Sequence, residues 1–198
     1  MKFKSELLGS KLTYLREISV NDYCVIIKWL NDKKFNKLLY QGWETVTLEK
    51  FSKQIEDEKL NEEAQIFVQC KYSDNKVVGW CGLFFPKNYQ HKQAKKAEIR
   101  SFVGTEFWGN GFGTEQYIIL SRLGFEIFDL NRIHFGTHQK NIGTQKIYEK
   151  LGFKMEGILR DDFHHYEFAD IYLYSILKIE YNQKFKKSFK DYDNMIFS

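Results

Sequence analysis

The sequence predicts a single α/β domain in which helices pack against a mixed central sheet. Its 198 residues fit one domain of ordinary size. Hydrophobic residues make up 43% and aromatic residues 17%, which is enough for a substantial core and too aromatic for a disordered chain. Segments of strand period and of helical period follow one another in the order β α α β β β α β α β β. Such an order is typical of helices that cover a sheet within one domain.

The strands are predicted from runs in which apolar and polar residues alternate between turn-forming residues. They cover residues 11–18, 65–72, 76–85, 97–104, 132–138, 153–163 and 169–178. The second and third runs flank Ser73-Asp-Asn75, so they should form a hairpin.

The helices are predicted from apolar residues spaced three and four apart. The first begins at Ser19-Val-Asn-Asp22, a capping box with Asp in the usual Glu position. The second covers about 48–60, the third follows Thr114, and the fourth covers 141–151. The apolar face of the first helix comprises Tyr23, Ile26, Ile27 and Leu30, and that of the third Ile119, Leu120, Leu123 and Ile127.

Charge and cysteine content argue against several classes of protein. The 30 basic and 26 acidic residues leave a net charge of +4, too weak and too dispersed to predict nucleic-acid binding. The sequence has neither an apolar run of about 18 residues nor the apolar stretch of a signal peptide. Cys24, Cys70 and Cys81 form no CxxC pair, so neither a disulfide framework nor a structural zinc is expected. We therefore expect a cytoplasmic protein with no metal, no nucleic-acid partner and no membrane partner.

A glycine-rich segment joins the strand at 97–104 to the third helix. Gly109, Gly111 and Gly113 alternate there, which lets the backbone turn tightly and approach a ligand closely. The helix that follows supplies free N–H groups and the positive end of a dipole, so the segment predicts a phosphate cradle. It is neither a P-loop nor a dinucleotide fingerprint. The alternative is that the glycines serve packing alone.

A second informative segment is the fourth helix. Asn141 is well placed as its N-cap, and Gly152 with Phe153 predicts a Schellman-type end. Tyr148 lies seven residues after Asn141. Taken alone, Tyr148 is more often a core aromatic residue than a catalytic acid.

Two strands carry further ionisable residues. Alternation places Glu98, Arg100 and Phe102 on one face of their strand, opposite to Ile99 and Ser101. Glu98 is either a general base or a surface carboxylate paired with Arg100. On the strand at 132–138, His134 and His138 share a face and could relay protons, although a strand histidine is usually structural.

These segments together resemble the GNAT superfamily of acetyl-CoA-dependent N-acetyltransferases. The acyl-CoA signature of that family, Arg/Gln-x-x-Gly-x-Gly/Ala, stands here as Trp108-Gly-Asn-Gly111-Phe-Gly113, with Trp108 replacing Arg or Gln. The block Asn141…Tyr148-Glu-Lys-Leu-Gly-Phe153 matches a second hallmark. Three further segments are similar to the ribosomal-protein (RimJ/RimL-like) branch of the family. They are Glu156-Gly-Ile-Leu-Arg160, Asp170-Ile-Tyr-Leu-Tyr-Ser-Ile-Leu177 and Leu15-Arg-Glu…Trp29-Leu-Asn-Asp32. The resemblance covers about 11–178.

The resemblance implies a fold and a site. The central sheet should be mostly antiparallel, with helices on both faces and one parallel pair of strands that splay apart to admit acetyl-CoA. Glu98 would be the base and Tyr148 the acid beside the sulfur. The implied cofactor-binding residues are Phe102, Val103 and Gly104 on the strand edge, Trp108, Gly109, Asn110, Gly111, Phe112, Gly113 and Thr114 in the loop, and Asn141.

The acceptor stays open at this stage. A peptide or protein N-terminus competes with a small amine such as a polyamine, an aminosugar or an antibiotic. In similar proteins the acceptor site is lined from two loops, which here contain Gln41, Trp43 and Glu44, and Asp161, Asp162, His164, His165, Tyr166 and Glu167. Those groups would suit a cationic amine, or they are solvated turns. A non-catalytic acyl-CoA sensor is the alternative function.

The predicted organisation is an N-terminal extension (1–10), one acetyltransferase domain (11–178) and a basic C-terminal tail (179–198). The resemblance is compatible with a homodimer.

Overall fold

The computed structural model describes residues 8–38, 45–60, 64–86, 95–164 and 168–185, and it contains one eight-stranded sheet. The strands are β1 (Leu8–Gly9), β2 (Thr13–Glu17), β3 (Ala64–Lys71), β4 (Val77–Phe84), β5 (Lys96–Val103), β6 (Arg132–His138), β7 (Lys154–His164) and β8 (Phe168–Leu177). Their spatial order is β1-β2-β3-β4-β5-β6-β8-β7, and β5 with β6 is the parallel pair. The α/β fold with a mixed, mostly antiparallel sheet is thereby confirmed.

The helices lie on both faces of this sheet. They are α1 (Tyr23–Leu30), α2 (Lys33–Asn36), α3 (Leu48–Leu60), α4 (Phe112–Arg122), α5 (Ile142–Lys150) and α6 (Lys178–Glu180). Short 3₁₀ turns at Val20–Asp22 and Thr105–Phe107 precede α1 and the glycine loop. The sequence did not predict β1 or α2, which contain only two and four residues and therefore carry little periodicity.

The parallel strands β5 and β6 diverge after a short contact. They pair at Lys96–Arg132, Ala97–Ile133 and Glu98–His134, and both strands then continue without pairing to each other. We call the space between their carboxyl-terminal halves the gap, and we call the Glu98–His134 pair its apex. The splayed pair is thus present, and the gap ends beside the start of the glycine loop.

Two apolar clusters fill the two faces of the sheet. One cluster includes Ile99, Phe135 and the inner residues of α4 and α5, and we call its side the α4 face. The other includes Phe102 and the inner residues of α1 and α3, and we call its side the α1 face. Ile99 and Phe102 therefore lie on opposite faces, as the alternation along β5 predicts.

The predicted capping box before α1 is present. The Asp22 carboxylate accepts a hydrogen bond from the Ser19 backbone N–H at 2.8 Å. Arg16 reinforces it with two bonds of 2.7 Å to the same carboxylate. The arginine holds the pKa of Asp22 below its usual value against the opposing effect of burial.

The end of the third predicted helix differs from the expectation. After α4 the chain forms a π turn at Leu123–Ile127, and Ile127 is 45% exposed rather than part of the apolar face. A π turn holds more residues than an α turn, so it rotates the following side chains away from the face that regular spacing predicts.

The Schellman-type end of α5 is confirmed. The Phe153 N–H donates to the Tyr148 carbonyl and the Gly152 N–H to the Glu149 carbonyl, both at 2.9 Å. Gly152 has φ +68, a left-handed conformation that glycine adopts at little cost.

Residues on both sides of the predicted domain boundaries pack against the sheet. β1 pairs with β2. Tyr181 is 1% exposed, its ring lies 4.9 Å from that of Phe125, and its hydroxyl donates to Glu126 at 2.8 Å. The boundaries themselves stay a prediction, and Tyr181, which lies beyond the predicted boundary at 178, is buried in the core.

Candidate active site

The glycine loop needs glycine for its backbone conformation. Gly109 has φ +81 and Gly111 has φ +83, a region that side chains rarely adopt. A Cβ atom at either position would meet nothing within 4 Å, so the space beside them is open. Neither glycine is therefore explained by packing, and the open space lies where a ligand could approach the backbone.

The start of α4 has donor groups of the kind that bind an anion. Gly111 precedes the first helical residue, Phe112, and the first N–H groups of a helix have no partner within it. With the positive end of the helix dipole, these donors fit a phosphate group. The third glycine differs, because a Cβ on Gly113 would lie 3.1 Å from Ile147 of α5. For Gly113 the packing interpretation holds.

Side chains brace the loop from within. The Trp108 indole N–H donates to the Val103 carbonyl at 2.9 Å, and the Asn110 amide donates to the Phe107 carbonyl at 3.0 Å. Trp108 remains 44% exposed, whereas Phe112 is buried beside Val103. Trp108 and Asn110 thus shape the loop, which leaves its backbone N–H groups available.

The predicted strand-edge residues are held mainly through their backbones. The Gly104 N–H donates to Val78 of β4 at 2.9 Å, so this group faces away from the gap. The Phe102 carbonyl accepts from the side chain of Gln116 at 3.0 Å, while the Phe102 ring stacks on Trp80. Gln116 is buried on α4, and its role was not predicted from the sequence. A polar residue directly before the apolar run of α4 is the signal that could have found it.

Asn141 is confirmed as the N-cap of α5. Its side-chain oxygen accepts from the Thr144 N–H at 3.2 Å. Gln145 supports the same turn by donating to the Gln139 carbonyl at 2.7 Å. The contact of Asn141 with a cofactor stays a prediction.

Tyr148 lies in the aromatic core on the α4 face. It is 1% exposed, and its ring centroid lies 4.5 Å from that of Phe135 and 4.8 Å from that of Tyr174. Its hydroxyl oxygen lies 2.8 Å from that of Tyr117 on α4. Burial raises the pKa of Tyr148 well above 10. A core residue and an acid held in the dry end of a gap both have these properties, so the catalytic role stays a prediction.

Glu98 lies at the apex of the gap, on the α1 face. Arg100 donates to its Oε2 atom through Nε at 3.0 Å and Nη2 at 2.8 Å. The two side chains are about one-third exposed, and the Arg100 guanidinium lies 4.4 Å from the centroid of the Phe84 ring. The salt bridge fits the interpretation of Glu98 as a paired carboxylate. The interpretation as a general base also remains, because Arg100 does not bond to the Oε1 atom.

The two histidines of β6 differ. His134 lies opposite Glu98 in the register of β5 and β6, at the apex. Burial lowers the pKa of His134. His138 is buried, and its Nδ1 atom accepts from the Lys140 N–H at 3.0 Å. The structural interpretation fits His138, whereas His134 stands beside Glu98.

Part of the predicted acceptor site lies outside the described residues. This applies to Gln41, Trp43, Glu44, His165, Tyr166 and Glu167, and to the side chain of His164. Asp161 and Asp162 are exposed on β7, and the Asp161 N–H donates to Asp170 at 3.1 Å.

Among the residues that the structure describes, no group of three or more His, Cys, Asp or Glu side chains could hold a metal ion. None of the helices within the described ranges is long and apolar enough to cross a membrane.

Comparison with protein families decides the family. The model of the acetyltransferase (GNAT) domain matches residues 13–154, which include the glycine loop, the gap and Tyr148. The chain belongs to the GNAT acetyltransferase family. It is therefore an N-acetyltransferase of the acetyl-CoA-dependent class.

Several GNAT proteins are similar over much of the chain. The uncharacterised N-acetyltransferase p20 of Bacillus licheniformis is 29% identical over 183 residues, which is 89% of this chain and 98% of p20. YdaF of Bacillus subtilis, whose name assigns it provisionally to the ribosomal N-acetyltransferases, is 32% identical over 51% of this chain and 55% of its own. So partial a match leaves the RimJ/RimL-like branch a prediction.

Solved structures share the fold. Spermidine N-acetyltransferase from Vibrio cholerae, solved with CoA and spermine, has a TM-score of 0.77 at 20% identity, over 86% of this chain and 98% of its own. A GNAT-family acetyltransferase from Bacillus anthracis has a TM-score of 0.71 at 19% identity, over 88% and 99%.

Proposed function

We propose that this GNAT protein transfers an acetyl group from acetyl-CoA to a primary amine at the apex of the gap. The observation that carries the proposal is the gap itself. It lies between the glycine loop at one end and the carboxylate of Glu98 at the other, and the paired hydroxyls of Tyr117 and Tyr148 are buried in the core on its α4 face. Acetyl-CoA has the matching order of groups, with its diphosphate at one end of a thin arm and its thioester at the other.

The cofactor would be held chiefly by backbone groups. The N–H groups at 109–114 would bind the diphosphate, and the edge of β5 at Phe102, Val103 and Gly104 would run beside the pantetheine arm. This is supported by the open space at Gly109 and Gly111 and by the free donors of the α4 N-terminus. Asn141 would contact the cofactor from the start of α5.

The two faces at the apex supply opposite proton chemistry. The amine nitrogen attacks the thioester carbonyl carbon, the C–N bond forms, and the C–S bond breaks with its electron pair left on sulfur. One proton passes from nitrogen to Glu98 on the α1 face, and one passes from Tyr148 to sulfur on the α4 face. Exchange with water then restores both side chains.

Both acceptor classes fit the charges described beside the closed end of the gap. Glu98 is paired with Arg100, and Arg132 is paired with Glu156, which also accepts from Ser175 at 2.6 Å. The Arg132 bond lowers the pKa of Glu156 to about 2, so this carboxylate is ionised and its charge is balanced by Arg132. Negative charge for a cationic amine would come from the predicted acceptor loops, in which Asp161 and Asp162 are exposed.

The second candidate is a non-catalytic acyl-CoA sensor. The burial of Tyr148 is compatible with it, because a residue that only fills the core would be equally enclosed. A sensor would bind acetyl-CoA on the same loop without turnover.

The deciding experiment is an acceptor screen that follows acetyl-CoA-dependent release of the CoA thiol. The panel holds short peptides with free and with blocked N-termini, spermidine and spermine, and an aminosugar. We expect turnover with at least one acceptor that has a free primary amine and none with the blocked peptides. The preferred acceptor then separates a peptide N-terminus from a polyamine or an aminosugar. Tight binding of acetyl-CoA with no turnover of any acceptor would favour the sensor.

A further inference from the structure

The hydroxyl of Tyr117 is the direct partner of the Tyr148 hydroxyl. Tyr117 is buried on α4, its ring meets that of Tyr148 edge-on at 5.1 Å, and the two oxygens are 2.8 Å apart. The Ser101 side chain of β5 is close enough to the Tyr117 hydroxyl to lower its pKa against the effect of burial. Ser101 lies on the α4 face of the splayed half of β5, so the pair of tyrosine hydroxyls has a hydroxyl neighbour on the wall of the gap.

A buried acid has an energetic difficulty that a partner relieves when it donates to the oxygen of the acid, and the 2.8 Å contact allows either hydroxyl to donate. Removal from water disfavours the phenolate, and burial accordingly raises the pKa of both tyrosines. As Tyr148 donates toward sulfur, negative charge develops on its own oxygen. In a dry site that charge is costly unless another donor points at the oxygen.

We propose that Tyr117 is a positioning residue for the acetyl transfer: its O–H donates to the Tyr148 oxygen and so directs the Tyr148 proton toward the sulfur. The Ser101 hydroxyl donates to Tyr117 in turn. This inference rests on the proposed role of Tyr148 as the acid. No bond to substrate is assigned to Tyr117 or Ser101, and both act through Tyr148.

The opposing explanation is an ordinary satisfied hydrogen bond in an aromatic core. Under that explanation Tyr117 affects stability and nothing else. The pKa of the CoA thiol separates the two explanations. A thiolate that accepts a hydrogen bond from Tyr148 is stabilised further when Tyr117 donates to Tyr148. The other titratable groups near the pair are Cys81 on β4, Glu98 on β5 and Tyr174 on β8, and they stay the same in the Tyr117 and Tyr148 variants.

The experiment uses CoA as the probe and needs no acceptor. The thiol of bound CoA is titrated by the ultraviolet absorbance of its thiolate in the wild type, Tyr117→Phe, Tyr148→Phe and the double variant. We expect Tyr148→Phe to raise the pKa of the bound thiol by about one unit and Tyr117→Phe by about half a unit, the size of a modest hydrogen bond. The double variant should equal Tyr148→Phe, because Tyr117 acts only through Tyr148.

Tyr174→Phe is the matched control, since it removes a hydroxyl from the same aromatic cluster. It should leave the thiol pKa at the wild-type value. Should Tyr117→Phe fold poorly, Ser101→Ala tests the same chain from its other end and should raise the thiol pKa by a smaller amount.

Two results would overturn the inference and can be told apart. An unchanged thiol pKa in Tyr117→Phe, with a shift in Tyr148→Phe, would make Tyr117 a core residue and leave Tyr148 as the acid. An unchanged thiol pKa in Tyr148→Phe would remove the proposed role of Tyr148 and the inference with it.

Discussion

The two ends of the gap are built in different ways. At the loop end, the proposed binding groups belong to one continuous segment, 108–114, and most of them are backbone N–H groups. Toward the apex, the candidate groups are side chains from four separate elements: Glu98 on β5, His134 on β6, and, in the core on the α4 face, Tyr117 on α4 and Tyr148 on α5.

This difference separates binding from chemistry. A backbone site recognises a group common to every acyl-CoA, so it has little dependence on pH or on single side-chain atoms. The apex depends on the protonation and direction of a few side-chain atoms. Changes at the apex should therefore act on turnover, and changes at the loop on cofactor affinity.

The largest effect is expected for Tyr148→Phe. The ring is kept and the hydroxyl is lost, so turnover should fall by about 10²–10⁴-fold while acetyl-CoA affinity changes little. Rate measurements, calorimetry and thermal unfolding on this variant and on Tyr174→Phe provide the comparison. Turnover within about threefold of the wild type would return Tyr148 to the core, since that is a barrier change under roughly 0.7 kcal/mol.

Glu98→Gln should come next, with a loss of about 10²-fold at neutral pH, the low end for a general base. The loss should shrink at high pH, where the amine is already neutral without help. A pH–rate profile shows this directly. Glu149→Gln is the control, because Glu149 is an exposed carboxylate on the helix that carries Tyr148. A profile for Glu98→Gln with unchanged shape and height would leave Glu98 as a salt-bridge partner of Arg100 only.

Gly111→Val tests the loop end of the gap. Its φ of +83 is strained for valine, and a side chain would enter the open space beside the loop. Acetyl-CoA should bind about tenfold more weakly, a change near 1.4 kcal/mol. Calorimetry measures it, with Gly157→Val as control, because a Cβ at Gly157 also meets nothing within 4 Å. Equal affinity of the two folded variants would argue against the cradle.

The smallest effect is expected for Trp108→Phe. The variant keeps an aromatic ring but loses the N–H that donates to Val103. One lost hydrogen bond of about 1 kcal/mol should weaken acetyl-CoA binding by about fivefold and leave turnover at saturation unchanged. A fall in saturated turnover instead would show that the loop brace also orders the apex.

Much of the fold and of the loop could be predicted from the sequence, because both depend on local patterns. The bounds of α3 and β6, the N-cap at Asn141 and the end of α5 at Gly152 follow from periodicity and from residues within one turn of each other. The expectation that Ile127 belongs to the apolar face was wrong, because the helical period changes at the π turn before Phe128.

By itself, then, the sequence determined the order of the elements, the faces of β5 and the glycine loop, because backbone conformation and alternation are set by neighbouring residues. Tertiary structure alone decided what surrounds each reactive side chain. Tyr117 and Tyr148 are 31 residues apart and meet only because α4 and α5 pack on the same face. The amide of Gln116 on α4 found its carbonyl partner on β5 in the same way. Such contacts depend on how the helices dock on the sheet, and no local pattern along the chain encodes that docking.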